Sequence, residues 1–315
     1  MTTDTDTQEA PVDTTEAESL THNGRPMLWM ADGYVVKPTD GGAMKSAELL
    51  QKANLDWKVQ LEDFRTSSGG ESGRFKAIVR QDTKHVLGIG KSRYQAFQNH
   101  ELFDFLDTLV DADEALFEAA WEWHGGETVG ILMRLPNEVK MGGFDRHQAY
   151  ICALTNHTAG GSIKIMRFME RIACTNMVMG MSRRTASKFA ITHSASTKGK
   201  ISAAREALQI TFNFQDEWDE IVKKLVDKPS NTTFVKTVAN RVWKDDEKRL
   251  ELALSNFHNS KTIPDGYRTT RYGVYNALTE VSEWLAPRTP SFERSLTGRS
   301  AAERNIILDA VLASA

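Results

Sequence analysis

The sequence predicts an α+β fold: an antiparallel sheet with packed helices, followed by a helical C-terminal part. Two observations carry this. Alternating apolar and polar residues fill several short segments before residue 200, the period of half-buried strands. After residue 201 apolar residues return at steps of three and four, the spacing of one face of a helix.

The elements follow in order. Leu28 to Met30 and Tyr34 to Lys37 are short apolar runs around Gly33, and a helix is predicted over Lys45 to Ala53. Trp57, Val59 and Leu61 alternate with polar residues, a loop of Ser and Gly spans Ser67 to Gly73, and Phe75, Ala77 and Val79 alternate on the return. That pattern makes a hairpin, to which His85 to Gly90 adds a third strand. Phe97, Leu102, Phe105, Leu106 and Leu109 predict a helix over Ala96 to Val110. Leu116 to Trp123 and Thr128 to Leu135 form a second antiparallel pair, and Tyr150 to Asn156 a further strand. Phe168, Ile172, Cys174, Val178 and Met181 predict a helix over Arg167 to Met181.

Beyond it, a long amphipathic segment from Ile201 to Leu225 stops at Pro229, which cannot continue a helix. Asn231 or Thr232 caps the next, which breaks near Asp245 before Leu250 to Phe257. A turn at Pro264, Asp265 and Gly266 precedes a helix over Tyr272 to Leu285. Three regions result: a disordered acidic tail over 1–23, an α+β core over 24–200 and a helical region over 201–315.

Composition excludes some classes. Apolar residues make up 40% of the 315, aromatics 9% and charged residues 26%, near globular averages, so the bulk can bury a core. The first twenty residues hold six acids and no base, and setting them aside moves the net charge from −3 to +3. Such a segment buries too little apolar surface to order itself. It also lacks the apolar run of a signal peptide, and no apolar stretch reaches the ~20 residues that span a bilayer. A soluble protein without a membrane partner is expected. Two cysteines, Cys152 and Cys174, do not make a disulfide framework.

Charge is sorted along the chain. Gly161 to Lys200 carries eight bases (Lys164, Arg167, Arg171, Arg183, Arg184, Lys188, Lys198 and Lys200) against Glu170 alone, whereas Tyr94 to Met133 carries nine acids and no base. On the predicted helix Arg167 and Arg171 lie one turn apart, and arginine forks match phosphate oxygens. Lys164, Arg167, Arg171, Arg183, Arg184 and Lys188 are therefore the candidate phosphate contacts, with Asn156 and Asn176 as polar auxiliaries. The alternative is that the bases form a solvated face, or are neutralised by the acids.

Catalytic patterns are weaker. Gly88-Ile-Gly90-Lys91-Ser92 lacks the earlier glycine of a phosphate loop, because position 85 is His. His147, Cys152, His157, Cys174 and His193 match no paired zinc spacing. There is no Gly-x-Ser-x-Gly elbow, and a Cys174 dyad with His157 or His193 would depend on the fold. Neither metal nor cofactor is expected, and no catalytic residue is assigned.

Several segments, in one order, carry a resemblance. LGIGKSRYQAFQNHELFDFLDTLV (87–110), TNHTAGGS (155–162), RIACTNMVMGM (171–181), FAITHS (189–194) and RYGVYNALTEVSEWL (271–285) resemble the Leu-Gly…Gln-Asn, Asn-x-His, Arg-x-x-Cys-x-Asn, His-Thr/Ser and Asn-Ala-Leu-Thr-Glu patterns of a phage and plasmid-like family carrying a domain of unknown function. Ala159 and Thr192 depart from that family's usual residues. The resemblance implies a phage or mobile-element source and a host-cytoplasm setting, without naming an activity. Element order, opening with AELLQKANLDW (47–57), is also similar to the single-strand annealing recombinases. That similarity implies an oligomer that holds one strand on basic elements. The expectation is thus ATP-independent single-strand binding and annealing in recombination or replication, with single-stranded nucleic acid, DNA ahead of RNA, as partner. The alternative is a non-enzymatic regulatory protein that captures a host protein through its acidic segments.

Overall fold

The computed structural model describes residues 21–22, 25–37, 44–92, 94, 96, 98–158, 163–179, 189–191, 213–287 and 289–313. The expected acidic tail lies almost wholly outside these residues, as do Arg183, Arg184, Lys188, His193 and the first half of the segment expected from Ile201. Thr21–His22 (β1) and Arg25–Pro26 (β2) form a small antiparallel ladder.

The α+β class is realised. The main antiparallel sheet contains β3 (Gly33–Val35), β7 (Leu116–Trp123), β8 (Thr128–Arg134), β9 (Val139–Met141), β10 (Asp145–Asn156), β11 (Ile163–Arg171), β12 (Met177–Met179) and β13 (Phe189–Ile191). Its order is β12-β11-β10-β8-β7-β3, with β13 also on β11 and β9 on β10. A separate sheet holds β4 (Val59–Glu62), β5 (Phe75–Arg80) and β6 (Val86–Lys91) in that order, the three-stranded hairpin unit expected from the alternation.

Helices cover the rest. α1 (Ser46–Lys52) matches its expected span. The single helix expected over Ala96 to Val110 is instead three short turns: α2 (Asn99–Phe103), a 3-10 turn at Asp104–Leu106 and α3 (Asp107–Asp111). The described part of the C-terminal region is helical: α4 (213–226), α5 (Thr232–Trp243), α6 (Glu247–Asn259), α7 (Asp265–Arg268), α8 (Arg271–Glu280) continuing as a π turn over Val281–Leu285, α9 (Phe292–Leu296) and α10 (Arg299–Ala313). Asn231 caps α5 by accepting the Phe234 amide at 3.1 Å, a partner that orphaned helix-start donors require.

Both faces of the main sheet are covered. Against one, Ile131, Ile151, Ile165 and Met169 pack with Phe214, Trp218, Tyr272 and Tyr275 of the C-terminal helices in a core shared with α1 and Leu109. Against the other, Tyr150, Cys152 and Phe168 pack with Met27, Trp29, Phe292 and Leu296. No helix among the described residues is long and apolar enough to cross a membrane.

Candidate functional site

The basic stretch expected as a helix is a strand, a turn and a strand. β11 pairs along its length with β10, placing Lys164 opposite Leu154, Arg167 opposite Ile151 and Arg171 opposite His147. Residues two apart share a face of a strand, so Arg167 and Arg171 do project together. The face they share is turned towards the C-terminal helices. The helical reading failed because β11 is apolar on both faces, which removes the period-2 signal.

Arg171 is completely buried. Its Nε donates to Asp145 Oδ2 at 2.5 Å and its Nη2 to Asp145 Oδ1 at 3.1 Å. Nη2 also donates to the Thr262 carbonyl at 3.0 Å and Nη1 to Cys174 Sγ at 3.2 Å, while the Tyr272 hydroxyl donates to Asp145 Oδ2. Burial pushes the Asp145 carboxyl up, but Arg171 and His147 outweigh it and hold the group below its ordinary value. His147, fully buried beside this pair, is pushed down to about 4 by burial and is neutral at pH 7. Arg171 is therefore corrected from a phosphate contact to the partner of an internal carboxylate, because every donor it offers faces inward.

Asn176 is corrected likewise. The chain turns after Arg171, with the Thr175 amide donating to the Arg171 carbonyl at 2.9 Å and Thr175 in the left-handed region at φ 57°. This aims the buried Asn176 at α8, where its Nδ2 donates to Thr279 Oγ1 at 3.3 Å. The Met177 amide then donates to Glu283 Oε2 at 3.0 Å, and Glu283 is paired with the buried Arg304. Glu280, one residue beyond Thr279, accepts from Asn256 at 3.1 Å and from Ser260 and Thr262. The Arg-x-x-Cys-x-Asn and Asn-Ala-Leu-Thr-Glu segments thus meet one another, joining sheet to helices.

A second pair of those segments also converges. His157 Nε2 meets Asn99 Oδ1 at 2.8 Å, and Asn99 Nδ2 donates to the Leu55 carbonyl at 2.8 Å. The Trp57 ring stands edge-on to His157 at 5.4 Å, lies 4.3 Å beneath the Arg80 guanidinium and donates from Nε1 to Glu122 at 3.0 Å. Arg80 itself donates to Glu122 Oε1 at 2.6 Å. This cluster fastens the three-stranded sheet to the main one.

Cys152 and Cys174 are buried in different places, one in the Phe168 core and the other against Arg171. Burial raises the pKa of both thiols. Among the described residues, no group of three or more His, Cys, Asp or Glu could hold a metal ion.

The remaining expected contacts divide by position. Lys164 is exposed at the start of β11. Arg167 is mostly buried, with its guanidinium 5.3 Å over the Phe214 ring, and that burial lowers its pKa against the pull of Glu217. Asn156, half-buried, donates to Thr128 Oγ1 at 3.2 Å and accepts the Thr158 amide at 2.8 Å. Arg183, Arg184 and Lys188 lie outside the described residues, but the strands on either side of them are fixed. β12 pairs with Phe168, Met169 and Glu170, and β13 with Ile163, Lys164 and Ile165. Only Met166 and Arg167 separate those partners on β11, whereas residues 180–188 separate Met179 from Phe189. Met179 and Phe189, the described residues on either side of that connection, stand opposite Phe168 and Ile165 on the same edge of β11.

The acidic segment is largely consumed by the fold. Glu118 pairs with Arg134 and Glu122 with Arg80. Asp111 pairs with Lys45, Asp107 accepts from Ser46, and Glu101 caps its own helix by accepting the Gln98 amide.

One exposed surface was not singled out by the sequence. Phe75, Val86 and Ile89, all on the three-stranded sheet, are 39%, 54% and 50% exposed. The alternation of Phe75, Ala77 and Val79 marks a strand correctly, yet the inward face carries Ile78 and Arg80 instead.

A family described as "Domain of unknown function (DUF932)" matches the chain over residues 86–303. No curated protein and no solved structure matches it.

Proposed function

Because the chain belongs to the DUF932 family, a domain of unknown function, its activity has to be argued from its own residues, and we propose that it binds single-stranded nucleic acid at the border of the main sheet where β12 and β13 pair with β11. The observation that carries this reading is the short span of β11 between the partners of β12 and β13. It brings Met179 and Phe189, which bound the segment whose sequence holds Arg183, Arg184 and Lys188, to one edge next to the exposed Lys164. Cations so grouped neutralise phosphates, which fix a strand in place without reading its sequence. Arg171 and Asn176 hold the fold behind that edge, and Arg167 lies between the two layers.

The biological reading that accompanies it is annealing of complementary strands, without ATP, in recombination or replication of a phage or mobile element in the host cytoplasm. An assembly of several copies would present the edge repeatedly. The capture of a host protein by the acidic segment is less favoured, since Glu101, Asp107, Asp111, Glu118 and Glu122 already have partners within the fold.

The test is titration of a labelled thymine-rich single strand, followed by fluorescence anisotropy across a salt series. Each phosphate contact contributes about 0.7 to the slope of log affinity against log salt for single strands. Changing Lys164, Arg183, Arg184 and Lys188 together to Gln should therefore flatten the slope by roughly 3 and weaken binding. No affinity of the unaltered chain for single strands at low salt would end the proposal.

A further inference from the structure

We infer that the outer face of the three-stranded sheet is a stacking platform for a single nucleic-acid strand, a second contact surface that rests on the nucleic-acid reading above. The register fixes the face. Phe75 stands opposite Lys91, Ala77 opposite Ile89, and, past a bulge, Val79 opposite Val86, so these pairs share one side. Ile78 and Leu87 are buried in the core on the other. The outer side has a floor of Ala77 and Val79, 6% and 3% exposed, from which Phe75, Ile89 and Val86 stand out.

Charge selects the occupant. Acids around this sheet are largely neutralised from within: Asp63 by Lys76, Glu71 by Arg65 and Asp82 by Arg80. Glu62, on the same side as Ala77, accepts from Gln60. Lys58, Arg74 and Lys91 are exposed and have no carboxylate partner among the described residues, and the Arg74 guanidinium lies 5.6 Å from the Phe75 ring centre. A second copy docked face to face would bring these like charges together, which costs energy. A single strand satisfies both features. Its bases stack on an aromatic ring whatever their sequence, and its phosphates meet the cations.

The experiment uses the full chain with a single strand carrying iodouracil, cross-linked by light and mapped to peptides, together with anisotropy titrations. A cross-link at Phe75 is expected. Phe75→Ala should weaken binding about tenfold and Phe75→Trp should restore it, while Lys91→Gln should flatten the salt slope by about 0.7. Phe75 and Lys91 are exposed, and thermal melting checks that each variant remains folded. If Phe75→Ala and Lys91→Gln bind as the unaltered chain does while the four-site edge variant loses affinity, this inference falls and the edge reading stands. If the edge variant binds normally and Phe75→Ala does not, the edge reading falls and the platform stands. Unchanged strand affinity, with loss of self-association or of binding to an acidic peptide in Phe75→Ala, would assign the face to a protein instead.

Discussion

Replacing Arg171 with Met removes the guanidinium from a site where it has no access to water. Two of its donors lie on the Asp145 carboxylate at 2.5 and 3.1 Å, and a third contact is with the Thr262 carbonyl at 3.0 Å. Without them Asp145 keeps the Tyr272 hydroxyl but becomes an uncompensated charge, 5% exposed. Breaking a buried pair in this way costs about 3–5 kcal/mol, a large part of the ~5–15 kcal/mol that holds an ordinary domain together. In urea, with a slope of about 3 kcal/mol per M, the midpoint should fall by about 1–1.7 M. Adding Asp145→Asn removes the stranded charge, so the double variant should recover more than half of that loss. Tryptophan fluorescence and circular dichroism would follow both transitions. Strand affinity per folded molecule should not change, which separates Arg171 from the edge bases. A loss below about 1 kcal/mol, or a double variant no better than the single one, would refute the assignment of this pair as a structural anchor.

Other consequences are equally direct. Burial raises Glu170 from its ordinary 4.5 to about 8, so the folded state holds a proton that the unfolded chain releases; that stabilisation is complete below pH 4.5 and is lost as pH rises through 8. Between those limits its slope approaches about 1.4 kcal/mol per pH unit, and Glu170→Gln should abolish the alkaline decline in urea midpoints. His147 behaves in the opposite sense: with its pKa lowered from 6.5 to about 4, its contribution is full above pH 6.5 and lost as pH falls towards 4, so the two slopes should oppose one another between pH 4.5 and 6.5, and a His147→Gln urea series should expose the Glu170 slope there. Gly130→Ala would place a methyl 2.4 Å from Trp121 Cζ2 and 2.8 Å from Leu154 Cδ2; overpacking of this kind costs about 1–3 kcal/mol, and an unchanged melting temperature would show that the sheet yields there.

The elements legible in the sequence are those with one wet face or a punctuating residue. β4 and β5 showed alternation on either side of a Gly/Ser loop, α5 its Asn231 cap, and α8 its stop near Pro287. β11 did not, because Ile165, Met169 and Phe168 are all buried and Arg167, Glu170 and Arg171 are hidden with them. That same burial misdirected the site. A run of bases reads as surface unless the carboxylate that meets each one is known, and Asp145 lies 26 residues from Arg171. Lys164 stands exposed, with no sequence signal for that beyond its charge. The Phe75 face escaped notice because alternation reveals that a strand has two sides and leaves open which of them is covered.

The main sheet ends narrowly. At one border stand β12 and β13 and at the other β3, each three residues long. Such brief margins give an incoming chain too few amides and carbonyls to extend the ladder, a common safeguard against runaway fibre growth. Copies that assemble on the main sheet would therefore meet through side chains, and mutations that disturb such an assembly should be sought on outward-facing residues, away from the backbone of β12, β13 and β3.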